Sequence, residues 1–257
     1  MKIFIPSSIL EIVESLDYKI DKIGQSDSKV LIYDNYILKI NKDNYEARNE
    51  INIYEQLSSK LPIGKIIKYE IRDGYVYILR EKLKGLSLAN DYYMKRPKLL
   101  LDLMFDALKI LENVDIKDLK LKDSIEEIIN IGIKNRDKLD VLAINKELNY
   151  NFKNVNEIIN YLKANKPEIN VLCHGDLCLP NIICDGNKIV GFIDVGMAGL
   201  SNFWHDIAIS YRSIKYNYLG YYGKSYSGFN DDMFFSYLKE ENKEMIFYFL
   251  LLDELFG

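Results

Sequence analysis

Three polar side chains in the last third of the sequence have the types and the spacing that phosphoryl transfer requires. Asp176 ends a His-Gly-Asp segment, Asn181 lies five positions further on, and Asp194 lies 13 positions beyond Asn181. Transfer of a phosphoryl group to a hydroxyl needs a carboxylate that orients and deprotonates the hydroxyl, and oxygen ligands for Mg²⁺ on the phosphates. The spacing therefore predicts that Asp176 is the catalytic base and that Asn181 and Asp194 are Mg²⁺ ligands.

The alternative is that these three residues only form turns, which is the default interpretation of a lone Asp or Asn. All three, however, lie beside apolar, strand-like sequence. Protein kinases place an Asp and an Asn at the same separation in the catalytic loop, and a second metal-binding Asp before a glycine on a following strand and turn. The joint spacing favours chemistry over turn formation.

An upstream lysine and glutamate are candidates for holding nucleotide phosphates. Lys39 lies in an apolar, strand-like run, and the helix predicted after it carries Glu46 and Glu50. A strand lysine reaches phosphates when a helix carboxylate holds it. We favour Glu50 as the partner because it directly precedes the apolar stripe of that helix. Taken alone, both residues would be interpreted as solvated charges, but the downstream motif makes the ion pair the better interpretation.

Other candidate features carry weaker signals. The turn at 24–29 has small residues that would let backbone N–H groups approach a phosphate. It lacks the G-x-G-x-x-G pattern, so a plain hairpin turn remains open. His205 is expected to pack or to form local hydrogen bonds. Five tyrosines between positions 216 and 226 would be able to stack on a ligand, but core packing and the high tyrosine content explain them more simply.

Composition excludes several classes of protein. The 257 residues contain 34 Lys and Arg against 38 Asp and Glu, a net charge of −4, which does not support a nucleic-acid footprint. Hydrophobic residues are 48% and charged residues 28%, which is typical of globular proteins. We expect neither a membrane-spanning segment nor a signal peptide. The three cysteines have neither an even count nor zinc spacing, so we expect no disulfide framework and a cytoplasmic location.

The elements that must position these residues fall into two groups. The first third alternates strand and helix patterns, with a hairpin turn at Asp73-Gly74 and a helix whose predicted capping box is Asp43 and Glu46. From about Gly85 onward helical spacing dominates, interrupted by a strand-rich insert. The predicted strands are 18–24, 29–33, 36–40, 65–71 and 75–80, and the predicted helices are 7–16, 99–113, 124–137, 155–164, 203–216 and 231–256.

This order of elements predicts an α+β chain with two lobes. A small strand-rich lobe is expected at 1–84 and a larger, mainly helical lobe at 85–257. All the candidate residues for phosphoryl transfer except Lys39 and Glu50 fall in the second lobe. Ligands prefer clefts between such units, so we expect the site to lie where the two lobes meet.

Taken together, these motifs resemble the aminoglycoside phosphotransferases. The matching segments are Cys173-His174-Gly175-Asp176-Leu177, Asn181-Ile182, Gly191-Phe192-Ile193-Asp194, Trp204-His205-Asp206-Ile207-Ala208 and Arg212-Ser213-Ile214. The ending Leu251-Leu252-Asp253-Glu254-Leu255-Phe256 is similar to that of the 3′-phosphotransferase branch. The resemblance implies a protein-kinase-like fold with a small antiparallel-sheet N-lobe and a mainly helical C-lobe. It also implies transfer of the γ-phosphoryl group of ATP or GTP, with Mg²⁺, to an antibiotic hydroxyl.

The resemblance implies the same roles for the catalytic, metal-binding and phosphate-binding residues named above, and it adds nucleotide contacts. Ser26 matches the serine of the nucleotide loop. Glu81 and Leu83 fall at the segment between the lobes, where backbone atoms usually meet adenine. Ile37 stands where members of the 3′ branch often carry an aromatic residue that stacks on adenine.

Substrate contacts are implied at Glu147, Asp253 and Glu254, in regions where family members bind ammonium groups. Carboxylates suit a polycationic sugar because charge-assisted hydrogen bonds are the strong ones. The predicted loop at 144–152, which carries several acidic residues in the family, retains only Glu147 here.

The sequence therefore predicts a kinase that phosphorylates an aminoglycoside, at its 3′-hydroxyl, and so confers resistance. A metabolic kinase of the same fold, acting on choline, a sugar or an amino alcohol, is the alternative that the depleted acidic loop favours. A nucleotide-binding module without transfer activity is a third possibility. The expected partners are a nucleotide and a small molecule, with no nucleic acid and no membrane.

Overall fold

A five-stranded antiparallel sheet forms the N-terminal part of the chain. The computed structural model describes residues 3–20 and 28–256. The strands have the spatial order β1-β2-β3-β5-β4. The elements of this part are α1 Ser7–Val13, β1 Lys19–Ile20, β2 Lys29–Ile32, β3 Tyr36–Lys42, α2 Tyr45–Leu57, β4 Ile66–Arg72 and β5 Tyr75–Glu81. Asp73 and Gly74 join β4 and β5 with φ angles of 51° and 76°, which suit the tight hairpin turn that the sequence predicts.

Two elements predicted near the N-terminus differ in length from the structure. The helix predicted at 7–16 ends at Val13. The strand predicted at 18–24 is described only as β1, because 21–27 lies outside the described residues.

Alternation along the strands sends neighbouring side chains to opposite faces of this sheet. Tyr77 and Leu79 of β5 pack in one core cluster with α1, whereas Ile78 packs in another with α2. Lys39 of β3 is the cross-strand partner of Ile78 and therefore lies on the α2 face. The register of β3 and β5 thus directs the Lys39 side chain toward the helix that carries Glu50.

The start of α2 differs from the predicted capping box. Asn44 is the capping residue, with an extended backbone and a side chain that accepts a hydrogen bond from the Ala47 N–H at 2.9 Å. Asp43 instead accepts a hydrogen bond from Arg48 Nε at 2.5 Å. The prediction that Asp43 and Glu46 form the box is wrong, because Asn is as good a cap as Asp and lies one position closer to the helix.

Helices dominate the remainder of the chain. They are α3 Asp91–Met94, α4 Pro97–Glu112, α5 Ser124–Asn135, α6 Val141–Leu148, α7 Val155–Ala164, α8 Trp204–Leu219, α9 Asp231–Phe235 and α10 Lys243–Asp253. Short strands form two further sheets, and these strands are β6 Leu86–Ser87, β7 Val171–Cys173, β8 Ile182–Asp185, β9 Lys188–Phe192 and β10 Gly199–Ser201. None of the helices in the described part of the chain is long and apolar enough to cross a membrane.

One core joins the two parts of the molecule. Ile53, Tyr54 and Leu57 of α2 are buried in the same cluster as Leu177 and Phe192, which flank the predicted catalytic residues. Burial of such side chains contributes roughly 1.5–3 kcal/mol each. The apolar stripe of α2 therefore fixes the helix that carries Glu50 against the catalytic segment.

Two predictions for the C-terminal part are wrong. The helix predicted at 231–256 is two helices, α9 and α10, because the intervening stretch 236–242 contains a run of Lys, Glu, Glu and Asn with no apolar side to bury. Asn242 then caps α10. The loop predicted at 144–152 is helical in its first half, where α6 continues until Asn149 adopts a left-handed φ of 51°.

Candidate active site

A buried aspartate on α8 fixes the backbone of the His-Gly-Asp segment. The Asp206 carboxylate accepts hydrogen bonds from the backbone N–H groups of His174 (2.7 Å) and Gly175 (3.0 Å). It is 2% exposed, and burial raises the pKa of Asp206 to about 7, although both N–H groups favour the charged form. The sequence prediction assigned no role to Asp206. Its only signal was the matched Trp-His-Asp-Ile-Ala segment.

The His174 side chain orients the same turn. Its Nε2 donates to the carbonyl oxygen of Ile193 (3.0 Å), and its Nδ1 accepts from the backbone N–H of Asp176 (3.3 Å). Burial lowers the pKa of His174, which keeps the ring neutral. Gly175 has a φ of +79°, and a Cβ there would lie 2.3 Å from the Met197 carbonyl oxygen. This turn therefore requires glycine between His174 and Asp176.

Asp176 presents an oriented, half-buried carboxylate. The Nδ2 of Asn181 donates to both the backbone carbonyl and Oδ2 of Asp176, each at 2.9 Å. The thiol of Cys178 also donates to this carboxylate. Burial raises the pKa of Asp176 above its ordinary value, and these hydrogen bonds only partly offset the effect. The side chain is thus held in one position while its affinity for a proton is increased.

Lys39 bonds two carboxylates at once. Its Nζ lies 2.9 Å from Glu50 Oε2 and 3.0 Å from Asp194 Oδ1. Burial would lower the pKa of Lys39, but the two carboxylates outweigh burial and raise the pKa above its ordinary value. Burial would likewise raise the pKa of Asp194, and Lys39 outweighs it and lowers that pKa. The structure thus brings Lys39 and Glu50 together and adds Asp194 to the pair.

The donor set beside Asp176 suits Mg²⁺. Asn181 uses its amide nitrogen for hydrogen bonds, and within residues 3–20 and 28–256 its amide oxygen and Asp194 Oδ2 accept none. Across the same ranges, no group of three or more His, Cys, Asp or Glu side chains is placed to hold a metal alone. Mg²⁺ usually takes one or two protein carboxylates and completes its shell with water and substrate phosphates. An amide and a carboxylate oxygen without a closed cage fit that pattern.

Asn49 links the helix that carries Glu50 to the turn that begins at Asp194. Its Nδ2 donates to the carbonyl oxygens of Gly196 (2.8 Å) and Ala198 (2.9 Å). Asp194 itself has a left-handed φ of 56°, a conformation that Asp tolerates better than most residues. The sequence prediction missed Asn49. Its one signal is that Asn is a poor residue for the middle of a helix.

Arg212 contacts two of the carboxylates that the sequence predicts to bind substrate. Arg212 on α8 bonds Glu254 Oε1 through Nη1 at 2.7 Å and also forms an ion pair with Asp253. Burial raises the pKa of Glu254, and the charge of Glu147 raises it further, so Glu147 on α6 is close by. The structure thus brings Asp253 and Glu254 together on one guanidinium, and it places Glu147 within reach of the charge of Glu254. The sequence prediction gave Arg212 no role.

Two of the predicted nucleotide contacts, Glu81 and Leu83, lie at and just after the end of β5. Glu81 ends β5, and its N–H donates to the carbonyl oxygen of Lys65 at 2.9 Å. Among the residues described, the N–H and the carbonyl of Leu83 have no hydrogen-bond partner. Ile37 is nearly buried on β3. Ser26 lies outside the described residues.

The second histidine packs, as the sequence predicts. The His205 ring stacks on Phe249 with centroids 4.8 Å apart, and its Nδ1 lies 3.1 Å from Ser201 Oγ. Burial lowers the pKa of His205 to about 4, so the ring is neutral. The free cysteines are Cys173, Cys178 and Cys184.

Comparison with known proteins identifies relatives of the chain. A model of the phosphotransferase enzyme family matches residues 17–232. An aminoglycoside 3′-phosphotransferase of Enterococcus faecalis is 31% identical over 217 residues, which cover 82% of this chain and 80% of the relative. One of Staphylococcus aureus is 30% identical with the same coverage. One of Acinetobacter baumannii is 24% identical over 98% of this chain and 99% of the relative.

Solved structures of low sequence identity have the same fold. A crystal structure of an aminoglycoside 3′-phosphotransferase of type VIII has a TM-score of 0.73 at 16% identity and covers 97% of both chains. An aminoglycoside phosphotransferase of Streptomyces rimosus, solved with ADP and streptomycin, has a TM-score of 0.68 at 16% identity. It covers 97% of this chain and 96% of its own. These likenesses confirm the predicted α+β, kinase-like fold class.

Proposed function

The chain belongs to the phosphotransferase enzyme family, and from that premise we propose that it transfers the γ-phosphoryl group of ATP or GTP to the 3′-hydroxyl of an aminoglycoside. Relatives at 30–31% identity are named aminoglycoside 3′-phosphotransferases, which supports the substrate class. One observation carries the catalytic proposal. Asp176 is oriented by Asn181 and lies close enough to Asp194 for that charge to raise its pKa. The proposed base thus lies near the carboxylate that would bind the metal.

In this proposal Lys39 binds phosphate oxygens and Glu50 keeps its ammonium in place. Glu50 is fully buried, and within the described residues its Oε1 has no partner. A buried carboxylate that depends on one ammonium resists losing it, because an unpaired buried charge is costly. Lys39 therefore stays against α2, and the one N–H that neither carboxylate accepts is left for a phosphate oxygen.

The chemical step needs one proton transfer within the site. As the acceptor oxygen forms its bond to the γ-phosphorus, the bond to the β–γ bridging oxygen breaks and the carboxylate of Asp176 takes the hydroxyl proton. Asn181 orients this carboxylate through its amide nitrogen and offers its oxygen to Mg²⁺, together with Asp194. When bound, Mg²⁺ neutralises the charge on the phosphates.

The nucleobase is assigned to the segment between the lobes. The N–H and carbonyl of Leu83, which bond no other residue in the described part of the chain, suit the edge of a purine, and Glu81 lies two residues before Leu83. Ser26 is the proposed contact to phosphates in the nucleotide loop. The proposed lobes are 1–84 and 85–257, since β5 ends at Glu81 and the next strand, β6, pairs with β8. We assign the protein to the cytoplasm, where ATP and GTP are made.

The acidic cluster is assigned to the substrate. Glu147, Asp253 and Glu254 supply three carboxylates, and Arg212 neutralises one charge. The cluster therefore keeps net negative charge for a substrate with several ammonium groups.

The same arginine is the observation that favours the alternative function. Because Arg212 contacts both Asp253 and Glu254, fewer carboxylate oxygens remain for ammonium groups. A substrate with one cationic group, such as choline or an amino alcohol, would need no more carboxylate oxygens than Arg212 leaves unoccupied. An inactive module is disfavoured, because oxygen, amide and ammonium groups occupy every position that phosphoryl transfer requires.

A coupled assay of ADP release separates these functions. Purified protein with ATP and Mg²⁺ is tested with kanamycin, with a kanamycin analogue that lacks the 3′-hydroxyl, with choline and without acceptor. We expect turnover with kanamycin and none above background with the other three. Turnover with choline alone would establish the metabolic alternative, and no turnover with any of these acceptors would contradict the aminoglycoside assignment.

A further inference from the structure

The C-terminus of α8 is closed by a turn that displays tyrosines. Gly220 has a φ of +83°, its N–H donates to the Asn217 carbonyl oxygen at 3.2 Å, and the N–H of Tyr221 donates to that of Tyr216 at 3.0 Å. This pair of bonds is the Schellman motif, which commonly brings the residue after the glycine against the helix. The Tyr221 ring accordingly lies with its centroid 4.6 Å from that of Tyr216. Local helix termination therefore explains Tyr221.

Tyr222 is not explained by the same turn. Its ring centroid lies 6.4 Å from that of Tyr216, and its side chain is 57% exposed. In the described part of the chain its hydroxyl has no hydrogen-bond partner. A large aromatic side chain in this state contributes little to packing and leaves a ring face to solvent.

Charged groups of the proposed site surround Tyr222. Burial raises the pKa of its hydroxyl, the charges of Asp176 and Glu147 raise it further, and Arg212 lowers it. Arg212 precedes Tyr216 by four residues, so both lie on one side of α8. Tyr222, whose ring lies beside Tyr216, is therefore on the side of α8 where Arg212 contacts Asp253 and Glu254, and the charge of Asp176 reaches it.

An aromatic face in this place complements the depleted acidic cluster. Three carboxylates and one guanidinium leave two net negative charges there, fewer than the ammonium groups of a typical aminoglycoside. The face of a tyrosine ring attracts an ammonium group, and its apolar body packs on the C–H face of a sugar. A ring face thus binds a cation without another carboxylate.

We infer that Tyr222 is a specificity-determining residue, whose ring forms the wall of the acceptor subsite and packs on an ammonium-bearing sugar ring next to the reacting hydroxyl. This inference rests on the proposed function. It differs from a contribution to catalysis, because the ring stabilises bound substrate and transition state alike. It also differs from a role for the hydroxyl, because the ring face makes the contact.

Paired substitutions separate these roles. Tyr222→Leu keeps apolar bulk and removes the ring, whereas Tyr222→Phe keeps the ring and removes the hydroxyl. We expect Tyr222→Leu to raise KM for kanamycin roughly fivefold to thirtyfold, and Tyr222→Phe to stay within about twofold of wild type. In both variants kcat and KM for ATP should change by less than about twofold. Tyr75→Leu, a substitution of a 43% exposed tyrosine on β5, is the matched control.

Each outcome of the steady-state measurement has a defined meaning. If Tyr222→Leu leaves KM for kanamycin unchanged, the inference is overturned while the proposed function stands. If Tyr222→Phe raises KM as much as Tyr222→Leu does, the hydroxyl makes the contact and the ring-face inference is overturned. If wild type transfers no phosphoryl group to kanamycin or another aminoglycoside, the proposed function fails and this inference fails with it. Thermal melting of each variant verifies that it is folded.

Discussion

The turn that carries Asp176 and the acidic cluster around Arg212 are built differently. The turn is held by the buried groups of Asp206 and His174 through bonds to backbone atoms. The cluster is held by one guanidinium that reaches Glu254 and Asp253, and all three side chains are partly exposed. The fold thus holds the proposed catalytic groups through buried hydrogen bonds and leaves the proposed substrate-binding side chains partly exposed.

The largest effect is expected when Asp194, a proposed Mg²⁺ ligand, is replaced. Asp194→Ala takes away a proposed Mg²⁺ ligand and one of the two carboxylates that hold Lys39. We expect it to abolish transfer and to weaken nucleotide binding only when Mg²⁺ is present. Calorimetric titration of ATP with and without Mg²⁺ measures both effects. Asp185→Ala, which removes an exposed carboxylate at the end of β8, is the control.

The next effect concerns the base. Asp176→Asn keeps the size of the side chain but cannot accept the hydroxyl proton, so kcat should fall by at least about a hundredfold. Nucleotide affinity should stay near that of wild type, because Lys39 and Asp194 are untouched. Rapid-mix kinetics and ATP titration provide the two readings. Near-wild-type turnover would remove Asp176 from this role.

Substitutions in the acidic cluster should act on binding alone. Glu254→Ala or Asp253→Ala removes one charged hydrogen bond of roughly 1.5–3 kcal/mol and should raise the dissociation constant for kanamycin by about one to two decades. ATP affinity should not change. Glu244→Ala, which removes an exposed carboxylate in the first turn of α10, is the control. Equal kanamycin affinity in wild type and in both variants would contradict the proposal that the acidic cluster binds the substrate.

The smallest effect is expected in the pH dependence, where kcat reports on Asp176 and kanamycin affinity reports on Glu254. Burial raises the pKa of Asp176 and that of Glu254. A base works only when ionised, so kcat should fall with falling pH through a pKa above the ordinary value for Asp. Protonated Glu254 no longer attracts an ammonium group, so kanamycin affinity should fall over the same acidic range. A kcat that is flat down to pH 4 would contradict the assignment of Asp176.

Features set by neighbours in the sequence were predictable. Asp176, Asn181 and Asp194 follow one another on one strand-rich stretch, so their spacing alone was enough to predict the roles that we propose for them. The strand-like run around Lys39, the apolar stripe after Glu50 and the downstream motif together predicted that Lys39 pairs with Glu50, and the two side chains lie 2.9 Å apart. These inferences need only local geometry and the known demands of phosphoryl transfer.

Features set by packing between distant segments were not predictable. Asp206 meets the catalytic turn from a helix that begins some thirty residues later, and Asn49 meets carbonyl groups from the other part of the molecule. Arg212 and Tyr222 approach the acidic cluster only because α8 packs beside α10. The local sequence gives only weak signals for these residues, such as an Asn in the middle of a helix or a tyrosine in a tyrosine-rich stretch, and none of these signals indicates the partner. Their identification required the three-dimensional arrangement.

Product analysis tests the central claim most directly. Kanamycin is incubated with the protein, ATP and Mg²⁺, and the product is examined by mass spectrometry and phosphorus NMR. We expect the mass gain of one phosphoryl group and a single phosphate ester whose phosphorus couples to the proton at the 3′ position. Unmodified kanamycin, or a phosphate ester at another hydroxyl, would contradict the assignment as a 3′-phosphotransferase.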